Sequence, residues 1–261
     1  MISLILGDSV FPNLVIKKLR NKSKDFLIID LSKDNKFKNF KNSFRFSLGQ
    51  FGSMLNLIKK KKSKKVLFAG KINKPKFSSL KLDLKGILYM PKIIKATKKG
   101  DAAIIKSIIE ILDNEKIKVI KSNTFNPELT ISSGVLTKIK PTVKENKSIL
   151  KGINFFKNSN KLDHVQALII KDQKIIASEI KEGTKKTLSK IPKNSNGVLI
   201  KFPKKNQDLR VDLPTIGLET LKDCKKKNIK GIILKSKQNI FLDKKKSIQF
   251  ANKNNMFIKA I

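Results

Sequence analysis

The sequence predicts an α/β protein with two domains, and three observations lead to this fold class. In the N-terminal half, short apolar runs alternate with amphipathic segments at helical spacing, which is typical of a parallel sheet with helices on its faces. Strand signals dominate the C-terminal half and predict a mixed sheet with helices. The length of 261 residues is about twice the commonest domain size. We therefore expect a Rossmann-like domain over residues 1–130 and a second α/β domain over residues 131–261.

The N-terminal half starts with a strand, a turn and a helix. Residues 2–6 form a short apolar run, Gly7, Asp8 and Ser9 form the turn, and residues 13–19 keep helical spacing. The alternation continues with strands at 26–29, 65–69 and 118–120 and with helices around 54–58 and 101–112. A lone Gly7 follows the first strand where dinucleotide-binding folds carry a spaced glycine triplet, so a nicotinamide-dependent oxidoreductase is disfavoured.

The regular pattern breaks between residues 122 and 141, where Pro127, Gly134 and Pro141 interrupt any helix or strand, and this break predicts the domain boundary. The second half then predicts a helix around 148–156 and a hairpin of strands 165–170 and 174–178 that turns at 171–173. Further strands are expected at 198–202, 231–234, 240–242 and 256–258, with helices at 218–227 and 244–252.

The charge balance is strongly basic, with 59 Lys and Arg against 20 Asp and Glu, or +39. Only three of the basic residues are arginines, Arg20, Arg45 and Arg210, although base edges favour the guanidinium fork. We therefore interpret most lysines as solvated surface and expect no specific nucleic-acid partner. Sequence-nonspecific nucleic-acid binding by counterion release is the alternative. The 39% hydrophobic content, with 16 Phe, predicts a folded core.

Histidine and cysteine are almost absent. His164 and Cys224 are the single members of their types, so a Cys/His zinc site, a serine–histidine triad and an internal disulfide are not expected. Lysines flank Cys224 on its predicted helix, which would lower the pKa of its thiol. The N-terminal apolar run lacks a basic leader, and no apolar run approaches the length of a membrane-spanning helix. We expect a cytoplasmic protein, at most peripheral to a membrane.

Catalysis in such a chain must rest on carboxylates, lysines, hydroxyls and a bound hard cation. The loop over residues 201–217 leaves an apolar strand and enters a helix, and α/β proteins bind ligands at such strand ends. Asp208 and Asp212, four residues apart around Arg210, offer oxygen ligands to a divalent cation, and Arg210 offers a phosphate clamp. The structural alternative is an ion-pair cluster that fixes the loop.

The loop contains the run Gln207-Asp208-x-Arg210-x-Asp212-Leu213-Pro214-Thr215-Ile216-Gly217, preceded by Lys201-x-Pro203-Lys204. This run resembles the signature of the metal-dependent UDP-2,3-diacylglucosamine pyrophosphatases of lipid A biosynthesis, in the branch typical of alpha-proteobacteria. Shorter matches occur in the same order along the chain: Gly49-Gln50-Phe51-Gly52, Ala69-Gly70-Lys71 with Pro75, Lys99-Gly100-Asp101, Gly134-Val135-Leu136-Thr137, and Glu179 with Glu182-Gly183-Thr184. The resemblance covers nearly the whole chain.

The resemblance implies hydrolysis of the pyrophosphate of UDP-2,3-diacylglucosamine to UMP and 2,3-diacylglucosamine 1-phosphate, with Mg²⁺ as cofactor and water attacking the phosphorus next to the sugar. Asp208, Asp212 and Arg210 would be the catalytic residues, and the two aspartates would hold the metal. Which aspartate holds metal and which orients water stays open. The remaining implied residues would bind substrate: Gly7, Lys71, Glu182, Gly183, Thr184, Lys201, Lys204, Gln207 and Thr215.

One departure from the family pattern is that Lys185 follows Thr184, where the family continues with Asp. The prediction then depends more heavily on Asp208 and Asp212, and a catalytically impaired member is a further alternative. Asp8 beside a nucleotide phosphate is unfavourable unless it bonds backbone donors or a metal. Partners implied by the resemblance are the anionic membrane surface that holds the lipid substrate and a second copy in a homodimer.

Overall fold

The computed structural model describes residues 1–72, 80–158, 165–179 and 182–261. These residues form two compact units, one made of 1–126 with 208–212 and the other of 127–207 with 213–261. Each unit has its own sheet flanked by helices, so the predicted α/β fold class is confirmed. His164 and Pro75 lie outside the described residues.

The first unit is built on a parallel sheet. Its described strands are β1 (Ile2–Leu6), β2 (Phe26–Asp30), β3 (Ser43–Arg45), β4 (Lys65–Ala69) and β5 (Lys118–Ile120). They lie in the order β3-β2-β1-β4-β5. The order reverses between β1 and β4, and open α/β sheets bind ligands at the carboxyl ends of the strands beside such a reversal.

Three of the four described helices of the first unit pack on this sheet, and the third along the chain packs on its helical neighbours. The four are α1 (Phe11–Asn21), α2 (Phe51–Lys60), α3 (Leu84–Thr97) and α4 (Asp101–Asn114). β1 is buried at every position, which explains why all of its residues except Ser3 are apolar. The periodicity predicts α1, α2 and α4 but neither α3 nor β3. α3 contains Gly86 and an internal Pro91 and carries apolar residues on both faces, so it has no clear amphipathic signal.

One carboxylate caps two helices of the first unit. Asp83 accepts hydrogen bonds from the backbone N–H of Gly52 (3.0 Å) and Ser53 (2.7 Å) at the start of α2, and from Gly86 (2.8 Å) at the start of α3. Burial opposes ionisation of Asp83, yet these hydrogen bonds lower its pKa. A Cβ on Gly49 would lie 2.2 Å from the carbonyl oxygen of Lys81. The family-like run 49–52 therefore serves close packing against the Asp83 segment.

The second unit contains a mixed sheet. Its described strands are β6 (Gly134–Val135), β7 (Ala167–Lys171), β8 (Lys174–Glu179), β9 (Val198–Lys201), β10 (Thr215–Ile216), β11 (Gly231–Leu234), β12 (Ile240–Phe241) and β13 (Phe257–Ala260). The main sheet has the order β6-β13-β11-β9-β7-β8, while β10 pairs with β12. β9, β11 and β13 are parallel, and β7 runs antiparallel to β8 and β9.

The helices of the second unit are α5 (Val143–Asn158), α6 (Thr184–Ser189), α7 (Leu218–Lys226) and α8 (Lys244–Lys253). The predicted hairpin is confirmed, because β7 and β8 join through Asp172 and Gln173, both with positive φ as a two-residue turn requires. Cys224 is fully buried on α7, and burial raises the pKa of its thiol. The expectation of a lowered pKa is wrong, because the thiol faces the core and not the flanking lysines.

Glu115, the residue after α4, ties three helices together. Its carboxylate accepts hydrogen bonds from the Lys59 ammonium on α2, from the Tyr89 hydroxyl on α3 (2.6 Å) and from the Lys85 ammonium on α3 (3.1 Å). The Lys59 hydrogen bond contributes most to lowering the pKa of Glu115 from 4.5 to about 2, and Tyr89 comes next.

We predict that Glu115→Gln lowers the free energy of unfolding at pH 7 by about 1–2 kcal/mol, because the charge-assisted hydrogen bonds of Lys59 and Lys85 are lost. The folded pKa of Glu115 lies below its unfolded value, so this stabilisation is complete above about pH 4.5 and disappears as the pH falls toward about 2. Urea unfolding at a series of pH values measures the difference. Glu110→Gln is the matched control, since the Glu110–Lys92 pair is about half exposed on both sides and its loss has a smaller effect. Equal losses in the two variants would contradict the prediction.

Candidate active site

The carboxyl ends of β1 and β4 are joined by backbone hydrogen bonds. Asp8 N–H donates to the Lys71 carbonyl (2.7 Å) and Lys71 N–H donates to the Asp8 carbonyl (2.6 Å). A Cβ on Gly7 would lie 2.3 Å from the Lys71 carbonyl oxygen, and Gly70 adopts a φ of +90°. The two loops can approach this closely only with glycine at both positions. The predicted substrate-binding residues Gly7 and Lys71 therefore lie together, beside the reversal of strand order.

The Asp8 carboxylate is already paired within this loop. It lies 2.7 Å from the Lys36 ammonium and accepts a hydrogen bond from the Lys33 backbone N–H (3.3 Å). The Lys36 hydrogen bond is the main cause that lowers the pKa of Asp8. The ammonium and the backbone donor offset the negative charge that would otherwise repel a phosphate at this edge.

Asp30 ends β2 at the position where dinucleotide-binding folds use an acid to hold a ribose. Here its side chain is fully buried and accepts hydrogen bonds from Ser32 N–H (2.8 Å), the Ser32 hydroxyl (2.6 Å) and Phe37 N–H (3.1 Å). Asp30 therefore fixes the loop that follows β2.

The signature segment 208–212 belongs to the first unit. The Ser122 N–H, just after β5, donates to the Arg210 carbonyl (2.7 Å), and Val211 packs against the core formed by β1, β2, β4, α2 and α4. These contacts place the segment at the carboxyl end of β5, at the same edge of the sheet as Gly7 and Lys71. Sequence spacing predicts a loop site but not the sheet edge on which the segment lies.

Arg210 holds the Asp208 carboxylate. Oδ1 of Asp208 accepts from the Arg210 backbone N–H (2.9 Å) and Nε (3.1 Å), and Oδ2 accepts from an Arg210 terminal nitrogen at 2.9 Å. The guanidinium is the main cause that lowers the pKa of Asp208. Asp212 N–H donates to the Asp208 carbonyl (3.0 Å), which closes one turn between the two residues.

The donor set of this turn fits a weakly anchored Mg²⁺. The described residues hold no group of three or more His, Cys, Asp or Glu side chains placed to bind a metal ion. Mg²⁺ does not need such a group, because it takes one or two carboxylates and fills its shell with water and phosphate oxygens. Arg210 fixes the orientation of Asp208, as a hydrogen-bonded carboxylate ligand requires.

A second cluster of predicted site residues lies in the second unit. Lys201 ends β9, Glu179 ends β8 and Thr184 begins α6, and all three are buried. The Lys201 ammonium donates to the Thr184 hydroxyl, the hydroxyl donates to Glu179 Oε2 at 2.5 Å, and the ammonium lies 3.7 Å from that oxygen. A buried lysine needs such partners. Lys201 and Thr184 belong to the predicted substrate-binding set, which omits Glu179. An acidic residue at the end of a strand is the sequence signal that points to Glu179.

Gln207 and Lys204 are also brought together. The Gln207 amide oxygen accepts from Lys204 N–H (2.8 Å) and from Gln166 Nε2 (3.4 Å). Gln207 is 9% exposed, and its own Nε2 is buried without a hydrogen-bond partner among the described residues. Gln166 also accepts from Phe202 N–H through its carbonyl, which links it to the end of β9. An unsatisfied amide donor marks this strand end as a place for an acceptor group.

The other predicted substrate-binding residues lie apart from these contacts. Glu182 is exposed and pairs with Lys190 and with Lys186 (3.8 Å); the Lys190 hydrogen bond is the main cause that lowers its pKa. Gly183 precedes α6 with a φ of +85°, which favours glycine. The exposed Thr215 opens β10, and its hydroxyl donates to the Leu213 carbonyl (3.2 Å). Their roles in binding stay predictions.

Two family models match this sequence. The LpxI N-terminal domain matches residues 1–129 and the LpxI C-terminal domain matches residues 132–259, so together they cover nearly the whole chain. The chain belongs to the LpxI family. The family resemblance drawn from the run 207–217 is thereby confirmed. Within this LpxI chain, residues 208–212 fall in the C-terminal model by sequence but belong to the first unit by structure.

A relative of this LpxI-family chain is known by its activity. It is the UDP-2,3-diacylglucosamine pyrophosphatase LpxI of Caulobacter vibrioides, which is 27% identical over 221 residues, covering 81% of this chain and 79% of that protein.

We predict that Thr184→Val lowers the free energy of unfolding by about 1–3 kcal/mol, because it keeps the shape of the side chain but removes the hydroxyl between Lys201 and Glu179. Urea denaturation of the full chain measures the change. Thr184→Ser keeps the hydroxyl and should recover most of the loss. A Thr184→Val variant as stable as the unmodified protein would show that the hydroxyl does not connect the buried pair.

Proposed function

We propose that this LpxI-family protein hydrolyses the pyrophosphate of UDP-2,3-diacylglucosamine to UMP and 2,3-diacylglucosamine 1-phosphate, with Mg²⁺ bound by Asp208 and Asp212. The activity named for the Caulobacter vibrioides relative supports the substrate. The observation that carries the proposal is the turn 208–212, in which Arg210 orients one carboxylate at the carboxyl edge of a parallel sheet.

The charges of this turn suit attack on a diphosphate. Mg²⁺, when bound, neutralises charge on the phosphate oxygens and so assists water attack. Arg210 keeps Asp208 ionised, since the guanidinium lowers the pKa of that carboxyl. Asp212, one turn further, offers a second oxygen ligand or an acceptor for the proton of the attacking water. The Arg210 side chain is 40% exposed, so its terminal nitrogens can reach a phosphate at the surface.

We also propose that the protein works at the anionic surface of the cytoplasmic membrane, because the proposed substrate is a lipid and the chain carries a formal charge of +39. Among the helices that the structure describes, none combines the length and the apolar character needed to cross a bilayer. Homodimer formation and the absence of a specific nucleic-acid partner stay predictions.

We predict that Asp208→Asn and Asp212→Asn each lower kcat by at least about 10²-fold, because each removes a charge from the turn that would hold the metal. The measurement is UMP release from UDP-2,3-diacylglucosamine dispersed in detergent with Mg²⁺ present. Asp172→Asn is the matched control, since Asp172 lies in the β7–β8 turn with a positive φ that asparagine also tolerates. Full activity in both signature variants would remove the turn from the mechanism.

We predict that removing divalent cations with EDTA abolishes UMP release and that added Mg²⁺ restores it, because a cation is needed to offset the negative charges of the diphosphate and of Asp208 and Asp212. The same treatment should leave the thermal unfolding midpoint nearly unchanged, since the units fold around apolar cores. Turnover that persists in EDTA would contradict the metal part of the proposal while leaving the substrate part intact.

A further inference from the structure

The outer side of α3 carries large apolar side chains in water. We call this the outer α3 face and define it by Leu84, Ile87, Leu88, Pro91 and Ile94. Leu84 is 87% exposed, Leu88 69%, Ile87 58% and Ile94 44%, and Pro91 is also exposed. Their spacing places them on one side of the helix. Single exposed leucines are common, but a continuous row of this kind marks an interaction surface.

Folding does not account for the outer α3 face. α3 is held in its unit by the opposite side, where Met90, Ile93 and Ala96 are buried and Tyr89 donates to Glu115. Polar residues on the outer α3 face would leave these anchoring contacts unchanged. The apolar residues of the outer α3 face therefore suit a binding partner and not the packing of the unit.

The sequence of α3 and of the two residues after it carries only positive charge. From Leu84 to Lys99 the sequence contains no acidic residue and five lysines: Lys85, Lys92, Lys95, Lys98 and Lys99. Lys85 pairs with Glu115 and Lys92 pairs with Glu110. Lys95, Lys98 and Lys99 are exposed at and beyond the C-terminal end of the helix. An apolar row bordered by lysines is the composition of helices that lie in the interface of an anionic bilayer.

We propose that the outer α3 face docks the protein on an anionic lipid surface, with its leucines and isoleucines among the acyl chains and its lysines at the head groups. The choice of a lipid surface rests on the proposed function, because a lipid substrate brings the protein to a membrane. A second copy of the chain fits less well, since it would place lysine borders against lysine borders.

The experiment measures binding of the full chain to sedimented vesicles. One set contains equal parts of phosphatidylcholine and phosphatidylglycerol, and the other contains phosphatidylcholine alone. The test variant is Leu84→Ser/Leu88→Ser. The matched control is Val143→Ser/Leu150→Ser on α5, where the two side chains are 76% and 61% exposed but lie two turns apart with Asn146 and Lys147 between them.

We expect the unmodified chain to bind the anionic vesicles and to bind neutral ones far less. Leu84→Ser/Leu88→Ser should raise the lipid concentration for half-binding at least about tenfold, while the α5 control changes it little. Lys95→Gln/Lys98→Gln should weaken binding to the anionic vesicles and lessen its dependence on salt. All the substituted side chains are exposed, so thermal unfolding should confirm an unchanged fold.

Three results would overturn the proposal. One is that the unmodified chain does not bind anionic vesicles. Another is that Leu84→Ser/Leu88→Ser binds them as tightly as the α5 control does. The third is that sedimentation velocity shows a dimer that this variant abolishes, without any vesicle binding, because the face then meets a second copy.

Turnover of detergent-dispersed substrate separates this proposal from the proposed function. Leu84→Ser/Leu88→Ser should hydrolyse UDP-2,3-diacylglucosamine in detergent as fast as the unmodified chain, since detergent presents the lipid without a bilayer. Absence of turnover in the unmodified chain would reject the proposed function and leave any vesicle binding as a separate property. Normal turnover without vesicle binding would reject only the docking face.

Discussion

The pairing of Arg210 with Asp208 is the interaction on which the candidate site depends. One residue does two things there: its backbone carbonyl accepts from Ser122 and fixes the segment at the end of β5, and its guanidinium holds the carboxylate two residues earlier. A carboxylate presented this way is both ionised and oriented. The planar guanidinium fork contacts both oxygens in one fixed geometry, whereas a lysine ammonium acts as a point charge on a flexible stem.

The excess of positive charge makes carboxylates the informative residues of this chain. Lysines cover both units, whereas several of the few acids sit at junctions: Asp83 caps two helices, Glu115 joins three, and Glu179 neutralises a buried lysine. In each case hydrogen bonds compensate for the cost of partial burial. A carboxylate among so many lysines finds a partner easily, so ion pairing alone does not identify a functional acid. Asp8 and Asp30 also lie at the carboxyl edge of the first sheet, so Asp208 is set apart by its place in the run 207–217 together with that edge.

Periodicity predicts most of the fold because most elements bury one clear face. The apolar strands β1, β2 and β4 and the helices α1, α2 and α4 follow from the sequence pattern for this reason. α3 does not, since it buries Met90 and Ile93 while exposing Leu84 and Leu88, so its two apolar sides cancel the periodic signal. β3 is missed because it is a three-residue edge strand, two of whose residues are exposed. The lysines around Cys224 suggest a lowered thiol pKa, but burial on α7 raises that pKa instead.

The sequence by itself determined the α/β class, the hairpin turn at Asp172 and the family, since these depend on local spacing and on a run of residues that needs no folding to be recognised. Only the tertiary structure decided where the run lies. Residues 208–212 are distant in sequence from the first unit yet belong to it, because Ser122 and the core around Val211 offer the contacts that hold them. The same holds for Glu179, Thr184 and Lys201, which come from two strands and a helix. Long-range contacts of this kind follow from packing and hydrogen bonding, which no local pattern encodes.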